Sequence, residues 1–181
     1  MARLIHLNGA PGVGKSTIAE RYVAEHPGVL NCDVDRLRGL VGGWREDFGG
    51  TGAIIRPVAQ AMIRAHLAGG HDVVLPQLLA DEVERARFRA VALESGHAYV
   101  HLLLQAPPGA ARARFYRRPP GDPLHAVVRA VVDGEGGGDT IDDLDVRLAG
   151  TAASARGAIR IDAGAGIEDT YAAVLGALGG A

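Results

Sequence analysis

Lysine is almost absent from this chain of 181 residues, which contains one lysine and 18 arginines. Cysteine is equally scarce, and the single Cys32 excludes both an intramolecular disulfide and a cysteine-rich metal site. We expect Cys32 to fill a small space in the core on the second strand. No apolar run approaches the length of a membrane span, and because the first predicted strand begins almost at once, we expect no secretory leader. The protein is therefore expected to be cytoplasmic, without a membrane partner.

An excess of charge of one sign is also lacking, because the formal net charge is only −2. This balance disfavours a dedicated surface for nucleic acid or for an anionic membrane. The length favours one domain with a sufficient core, residues 1–181 in all. Nothing in the sequence decides the oligomeric state.

The one lysine stands in a glycine-rich pattern, G-x-x-x-x-G-K-S, between an apolar strand and an amphipathic helix. In such a loop, backbone N–H groups point at phosphates and the helix N-terminus adds a favourable dipole. Lys15 is placed to reach the β- and γ-phosphates, and Ser16 offers a hydroxyl to Mg²⁺. The nucleotide-binding residues predicted in this way are Gly9, Ala10, Pro11, Gly12, Val13, Gly14, Lys15, Ser16 and Thr17.

Strand-like apolar runs alternate with helical patterns, which predicts an α/β fold with a parallel sheet. Gly42–Gly52 is predicted to be a loop, and the segment from Tyr116 to Asp139 is expected to form an inserted, mobile lid. The predicted strands are Arg3–Asn8, Val29–Asp33, Asp72–Pro76, Tyr99–Leu104 and Ala158–Ile161. The predicted helices are Ser16–Glu25, Arg36–Val41, Ala53–Ala68, Asp81–Ser95, Pro107–Arg118, Leu124–Val132, a helix from about Asp143, and Ile167–Leu178.

Two acids follow the second predicted strand, at the edge where parallel strands place an active crevice. Asp35 is the candidate general base for an attacking hydroxyl, with N-capping of the next helix as its alternative role. Asp33 is either a water-mediated Mg²⁺ ligand or a simple strand-end acid. Arg38 lies one turn beyond Asp35 and is expected to face the same crevice, unless it is a surface charge.

Four arginines crowd the helix that leads into the predicted lid: Arg112, Arg114, Arg117 and Arg118. The spacing of Arg114 and Arg118 predicts that they share a helix face. Closing arginines stabilise the negative charge of a phosphoryl group in transfer, so these two are candidate catalytic residues. The alternative is an exposed, solvated basic helix.

The acceptor pocket is expected to draw on Gly39–Gly52, with Trp44, Arg45 and Asp47, together with Arg56, Gln77 and the lid. The third strand ends in Pro76-Gln77, where many phosphate-binding-loop proteins place an acid that supports Mg²⁺. Gln77 is instead a candidate for hydrogen bonding to the substrate. Trp44 either stacks on a ring or anchors its loop, and His6 is expected to be buried and hydrogen-bonded.

These motifs together resemble the small P-loop kinases, a group that includes AAA-domain metabolite kinases, gluconate and shikimate kinases, chloramphenicol phosphotransferase, zeta toxins and polynucleotide 5′-kinase. The resemblance lies in Gly9–Thr17, in Val34–Arg38 and in the stretch Leu103–Arg118. It implies a P-loop NTPase three-layer sandwich, a five-stranded parallel sheet of order 2-3-1-4-5 and a helical lid. It further implies ATP and Mg²⁺, with Arg114 at the nucleotide and an adenine site near Asp162–Gly164.

We therefore expect an ATP-dependent kinase that phosphorylates a hydroxyl of a small-molecule acceptor, such as a metabolite, sugar or antibiotic. One alternative is a polynucleotide 5′-hydroxyl kinase, which the low net charge disfavours. The other is a non-enzymatic, nucleotide-dependent switch, which the separate base candidate argues against. No guanine-specifying N-K-x-D motif is present, which disfavours a GTPase.

Overall fold

A five-stranded parallel sheet forms the centre of the molecule in a computed structural model that describes residues 1–154 and 157–180. Its order, β2-β3-β1-β4-β5, confirms the predicted one. In register, Leu4 lies beside Val73 on one side and beside Tyr99 on the other. The strands are β1 (Arg3–Asn8), β2 (Leu30–Asn31), β3 (Val73–Leu75), β4 (Ala98–Gln105) and β5 (Ala158–Asp162).

Helices cover both faces of this sheet. They are α1 (Lys15–Glu25), α2 (Val34–Arg38), α3 (Phe48–Ala68), α4 (Glu82–Glu94), α5 (Ala110–Arg117), α6 (Pro123–Gly134), α7 (Gly138–Ser154) and α8 (Ile167–Gly179). None of the helices within the described ranges has both the length and the apolar character needed to cross a bilayer.

Four helix starts differ by two or more residues from those predicted. Helix α3 begins at Phe48 rather than Ala53, inside the stretch predicted as a loop. The Asp47 side chain caps it by accepting a hydrogen bond from the Gly50 N–H at 2.8 Å, which compensates for the glycines in its first turn. Helix α2 begins at Val34 rather than Arg36, α5 at Ala110 rather than Pro107, and α7 at Gly138 rather than Asp143.

Two apolar layers sandwich the sheet, because successive side chains of a strand point to opposite faces. On one face, Leu7 of β1 packs with Ile18 of α1 and Phe115 of α5. On the other, Leu4 packs with Ile63 of α3 and Phe88 of α4. Cys32 belongs to this second layer and is fully buried, which agrees with its predicted role as a core residue.

The carboxyl ends of β1, β2 and β3 meet at one edge of the sheet because the three strands are parallel. The segments that follow them begin with Gly9, Cys32 and Pro76. The fold thus brings together the glycine-rich loop, the two acids and the Pro76-Gln77 segment at the crevice where α/β folds bind ligands.

Candidate active site

The glycine-rich loop depends on backbone conformations that only glycine adopts readily. Gly9, Gly12 and Gly14 have φ values of 149°, 86° and 108°, a region that L side chains rarely adopt. A Cβ on Gly12 would also clash with the Ala111 carbonyl of α5 and lie 2.9 Å from the backbone nitrogen of Phe115. The loop is therefore packed directly against α5.

Lys15 opens α1 and folds back over this loop. Its Nζ donates hydrogen bonds to the carbonyl oxygens of Gly9, at 2.7 Å, and Ala10, at 3.0 Å. Burial lowers the pKa of the Lys15 ammonium to about 8, against the opposing pull of the Asp35 carboxylate. The nearby Arg118 guanidinium lowers this pKa further. The ammonium of Lys15 thus lies within electrostatic range of both an acid and a second cation.

Ser16 and Asp33 lie side by side at the start of α1 and α2. The Ser16 hydroxyl donates to Asp33 Oδ2 at 3.2 Å. Asp33 Oδ1 accepts from the backbone N–H groups of Asp35 and Arg36, so Asp33 is the N-cap of α2. The alternative role considered for Asp35, capping this helix, is wrong, because the helix begins two residues earlier than predicted.

The Ser16–Asp33 pair fits a magnesium ion by its chemistry. Both groups offer oxygen atoms, which hard divalent cations prefer, and Mg²⁺ in such sites takes few protein ligands besides nucleotide phosphates. Burial raises the pKa of Asp33, a penalty on its negative charge that a cation would relieve. No cluster of three or more His, Cys, Asp or Glu residues forms an all-protein metal site within residues 1–154 and 157–180.

Asp35 is held from two sides. Arg38 Nε forms an ion pair with Asp35 Oδ1 at 3.1 Å, and Gln77 Nε2 donates to the same oxygen at 3.5 Å. The Asp35 carboxylate itself remains about one-third exposed. The side chain is thus oriented by its neighbours yet still open to a reactant.

Arg38 is buried rather than a surface charge, so it does face the crevice as predicted. Its guanidinium lies over the Phe48 ring, with Cζ 3.8 Å from the ring centroid, and donates to the Phe48 carbonyl. A Cβ on Gly52 would lie only 2.9 Å from Arg38 Nη1. Arg38 is therefore locked between Phe48, Gly52 and Asp35, which suits it to position the acid rather than to sweep over a phosphate.

The arginines in and just after α5 do not lie on one face of the helix. Arg118 lies beyond the last helical residue, Arg117, with a ψ of 135°, so the predicted sharing of a face by Arg114 and Arg118 is wrong. Arg118 lines the cavity beside Lys15. Arg114 instead donates to the carbonyls of Ala163, at 2.7 Å, and Gly164, at 3.2 Å, in the loop after β5.

Arg112 turns the other way and pairs with Asp139 at 2.8 Å and Asp142 at 3.3 Å. The acidic run that begins at Asp139 thus partly serves to join α7 to α5. Arg117 is exposed and does not line the cavity. The four arginines have at least three different surroundings.

A polar network behind the crevice fixes the Gln77 segment. His6 is fully buried, with Nε2 2.8 Å from the Gln77 carbonyl and Nδ1 2.8 Å from the Tyr99 hydroxyl. Burial lowers the pKa of His6 to about 3, so its ring is neutral near pH 7. Asn8 Oδ1 accepts from the N–H groups of both Gly9 and Leu79, which ties the phosphate loop to the same segment.

A cavity of about 560 Å³ joins these groups. Lys15, Ser16, Asp33, Asp35 and Arg118 line its polar part. Helix α6 supplies an apolar wall that the sequence did not lead us to expect. The α6 residues of this wall lie at a helical spacing: Leu124, Val128, Val131 and Val132. Two half-buried residues outside α6, Phe48 and Leu78, complete the wall.

Of the candidate acceptor residues, Arg56 and Gln77 line this cavity, whereas Trp44 does not. The guanidinium of Arg45 instead covers the Trp44 ring, with Cζ 4.8 Å from its centroid. The signal for the apolar wall was present in the sequence. It is a twelve-residue helix whose only fixed charges are Arg129 and Asp133.

Residues 4–134 match the sequence pattern of a family described as AAA domain. The chain belongs to the AAA domain family. The match spans most of the chain and includes the phosphate loop, the Asp33–Arg38 segment, α5 and α6. The resemblance to small P-loop kinases is thereby confirmed. A search among curated proteins finds no significant match for the whole sequence.

Solved structures show that this AAA domain has a widely shared fold. The tunicamycin resistance protein of Deinococcus radiodurans aligns with a TM-score of 0.62 at 20% identity, over 99% of this chain and 95% of that one. A gluconokinase from Sinorhizobium meliloti gives 0.61 at 17%, over 97% and 90%. Deoxyadenosine kinase from M. mycoides gives 0.58 at 12%, over 98% of each chain. The chain therefore has the α/β P-loop kinase fold.

Proposed function

We propose that this protein is an ATP-dependent phosphotransferase that transfers the γ-phosphate to a hydroxyl group of a small molecule. The observation that carries the proposal is the position of Asp35. Its partly exposed carboxylate lines the same cavity as Lys15 and Ser16, and Arg38 and Gln77 hold it there. A phosphate cradle alone would suit a switch, whereas an oriented acid facing it suits acid–base chemistry.

In the proposed reaction, the acceptor oxygen attacks the γ-phosphorus of ATP. The new O–P bond forms as the bond between that phosphorus and the β–γ bridging oxygen breaks, and ADP leaves. Asp35 receives the proton of the acceptor hydroxyl. The residues 9–17 hold the phosphates through backbone N–H groups and Lys15, and Arg118 faces the charge that develops on the transferred group.

Ser16 and Asp33 would hold Mg²⁺ at the phosphates. When bound, the ion neutralises phosphate charge and orients the oxygens of the nucleotide. Arg38 has a positioning role, because its contacts are with Asp35 and Phe48. Arg114 has a role on the nucleotide side, since it fixes the Ala163–Gly164 loop where the adenine site is expected.

The names of two similar structures, a gluconokinase and a deoxyadenosine kinase, support phosphoryl transfer as the reaction class. The shared fold does not by itself choose an acceptor. Within the AAA domain family, the acceptor must therefore be inferred from the cavity of this chain.

The test is a screen of hydroxyl compounds with ATP and Mg²⁺, in which ADP release is followed together with mass-spectrometric detection of an added phosphate. We expect a product heavier by one phosphate group that requires both the acceptor and intact Lys15. Lys15→Ala, as the matched negative control, should lose transfer and bind ATP more weakly. An active Lys15→Ala protein would contradict the assignment of the phosphate loop.

A further inference from the structure

Helix α6 is more apolar than a helix with this much exposed surface normally is. Between Pro123 and Gly134 its only fixed charges are Arg129 and Asp133. A helix with apolar residues on nearly all sides is normally buried. Here Ala126 and Ala130 are exposed, and several valines are only half-buried. Part of the apolar surface of α6 therefore lacks a partner within the described chain.

A second cavity of about 570 Å³ lies along this surface. The segment Arg45–Gly49 forms one of its sides, and α6 forms the other. The α6 residues that line this groove are Ala126, Val127, Ala130 and Val131. Charged groups occur only on the opposite side, in Arg45, Glu46 and Asp47.

The groove adjoins the reaction cavity, because Phe48, Gly49 and Val131 line both. A ligand that passes these three residues would contact both Asp35 and α6. Neither the triphosphate, which belongs at the loop around Lys15, nor a compact polar acceptor would cover this apolar surface.

The polar end of the reaction cavity also favours one orientation of the ligand. Gln77 is buried and lines the reaction cavity, and its Oε1 has no hydrogen-bond partner while its Nε2 faces Asp35. A buried acceptor atom left unpaired is costly, so a ligand that donates a hydrogen bond there is favoured. Asp35 and Gln77 thus mark the end of the cavity for hydroxyl groups.

We propose that the phosphate acceptor is an elongated amphipathic alcohol, with its hydroxyl end at Asp35 and Gln77 and its apolar body in the groove between Arg45–Gly49 and α6. The inference rests on the proposed function, because it takes Asp35 as the base. It names the chemical class of the acceptor: a hydroxyl-bearing head group that carries an apolar chain.

The test uses n-alkyl β-glucosides, from methyl to octyl, kept below their micelle-forming concentrations in the presence of Mg²⁺ and a non-hydrolysable ATP analogue. Binding is measured by calorimetry. We expect the affinity to rise by about threefold to fourfold for each methylene that enters the groove, as full burial of a methylene predicts. An affinity that does not depend on chain length would overturn the inference.

The variant Val127→Asp should remove most of this dependence, because it places a carboxylate in the groove away from the reacting groups. The matched control is Val83→Asp, at an exposed position near the start of α4 that lines neither cavity. If Val127→Asp does not fold, Ala130→Glu serves as the second variant, because Ala130 is an exposed position of α6. Thermal unfolding checks all three.

Two further readouts separate the possible failures. Alkyl glucosides that bind with the expected dependence but are not phosphorylated would contradict the proposed function and leave the groove assignment standing. Transfer to methyl and octyl glucosides with equal efficiency would support the function and overturn the inference. Dissociation of a dimer by Val127→Asp, without any effect on glucoside binding, would assign the surface to a second copy of the chain and overturn it too.

Discussion

Arg38 Nε and Asp35 Oδ1 lie 3.1 Å apart, and the arginine of this pair is buried while the acid is not. A buried cation that is fixed by Phe48 and Gly52 holds one oxygen of a carboxylate whose remaining surface faces the reaction cavity. The pair therefore orients the proposed base without covering it. The predictions below start from this arrangement.

Asp35→Asn should reduce phosphate transfer by about 10²–10⁴-fold, the usual contribution of a general base, because the amide cannot accept the proton. ATP affinity should change little, since Asp35 belongs to the acceptor side. Single-turnover transfer and calorimetric binding of an ATP analogue measure the two effects. Transfer at the wild-type rate would remove Asp35 as the base.

Gly52→Ala should lower kcat by about tenfold at unchanged ATP affinity. The new Cβ would lie 2.9 Å from Arg38 Nη1, and the guanidinium that moves away would release Asp35. Gly176→Ala on α8 is the matched control, because nothing lies within 4 Å of the added Cβ. If both alanine variants have wild-type kcat, the orientation of Asp35 by Arg38 is not needed for transfer.

Arg118→Ala should lower kcat by about 10²–10³-fold, as the loss of a group that stabilises transition-state charge does. Arg117→Ala provides the control, since both arginines are exposed but Arg117 does not line the cavity. Steady-state kinetics of the two variants make the comparison. Equal losses in both would indicate a general effect of positive charge rather than a specific role for Arg118.

ATP binding should weaken above about pH 8. The pKa of the Lys15 ammonium is lowered to about 8, so raising the pH removes the charge that pairs with the phosphates. One proton is linked to binding, so the dissociation constant should rise up to about tenfold per pH unit well above that value. Calorimetry with an ATP analogue between pH 7 and pH 9.5 measures it. The slope should vanish in Lys15→Ala.

Folding stability should fall as the pH drops from about 6.5 towards 3. Burial lowers the pKa of His6 to about 3 in the folded protein, whereas the unfolded chain binds the proton near pH 6.5. The unfolded state therefore gains protons first, at a cost to stability of about 3 kcal/mol by pH 4. Burial of His101 acts in the same direction. Urea unfolding should show that the free energy of unfolding depends less steeply on pH in His6→Asn than in His71→Asn, the exposed control.

The strands and the phosphate loop were predictable because each depends on local patterns, whereas the strand order followed only from the resemblance to small P-loop kinases. Buried parallel strands are continuous apolar runs, and the loop has a fixed spacing of Gly9, Gly14 and Lys15. The start of α3 was not predictable from propensity, because Gly49 and Gly50 disfavour a helix that the Asp47 cap and tertiary packing nevertheless begin.

The separation of Arg114 from Arg118 had a signal in the sequence. Arg118 precedes Pro119, and the residue before a proline is disfavoured in helical conformation. The helix accordingly ends at Arg117, and the helical spacing no longer applies. By contrast, the groove beside α6 arises from two segments far apart in sequence, so only the fold reveals that Phe48 and Val131 line the same cavities.

The bonds from Arg114 to the Ala163 and Gly164 carbonyls fix the helix that leads into the predicted lid. They fasten α5 to the loop after β5, so Arg118 sits at the end of an anchored helix. We expect any opening of α6 to pivot on residues 118–122 and on the turn at Gly136 and Gly137. The phosphate end would then keep its geometry while the acceptor wall moves, which leaves acceptor choice free to diverge without disturbing phosphoryl transfer.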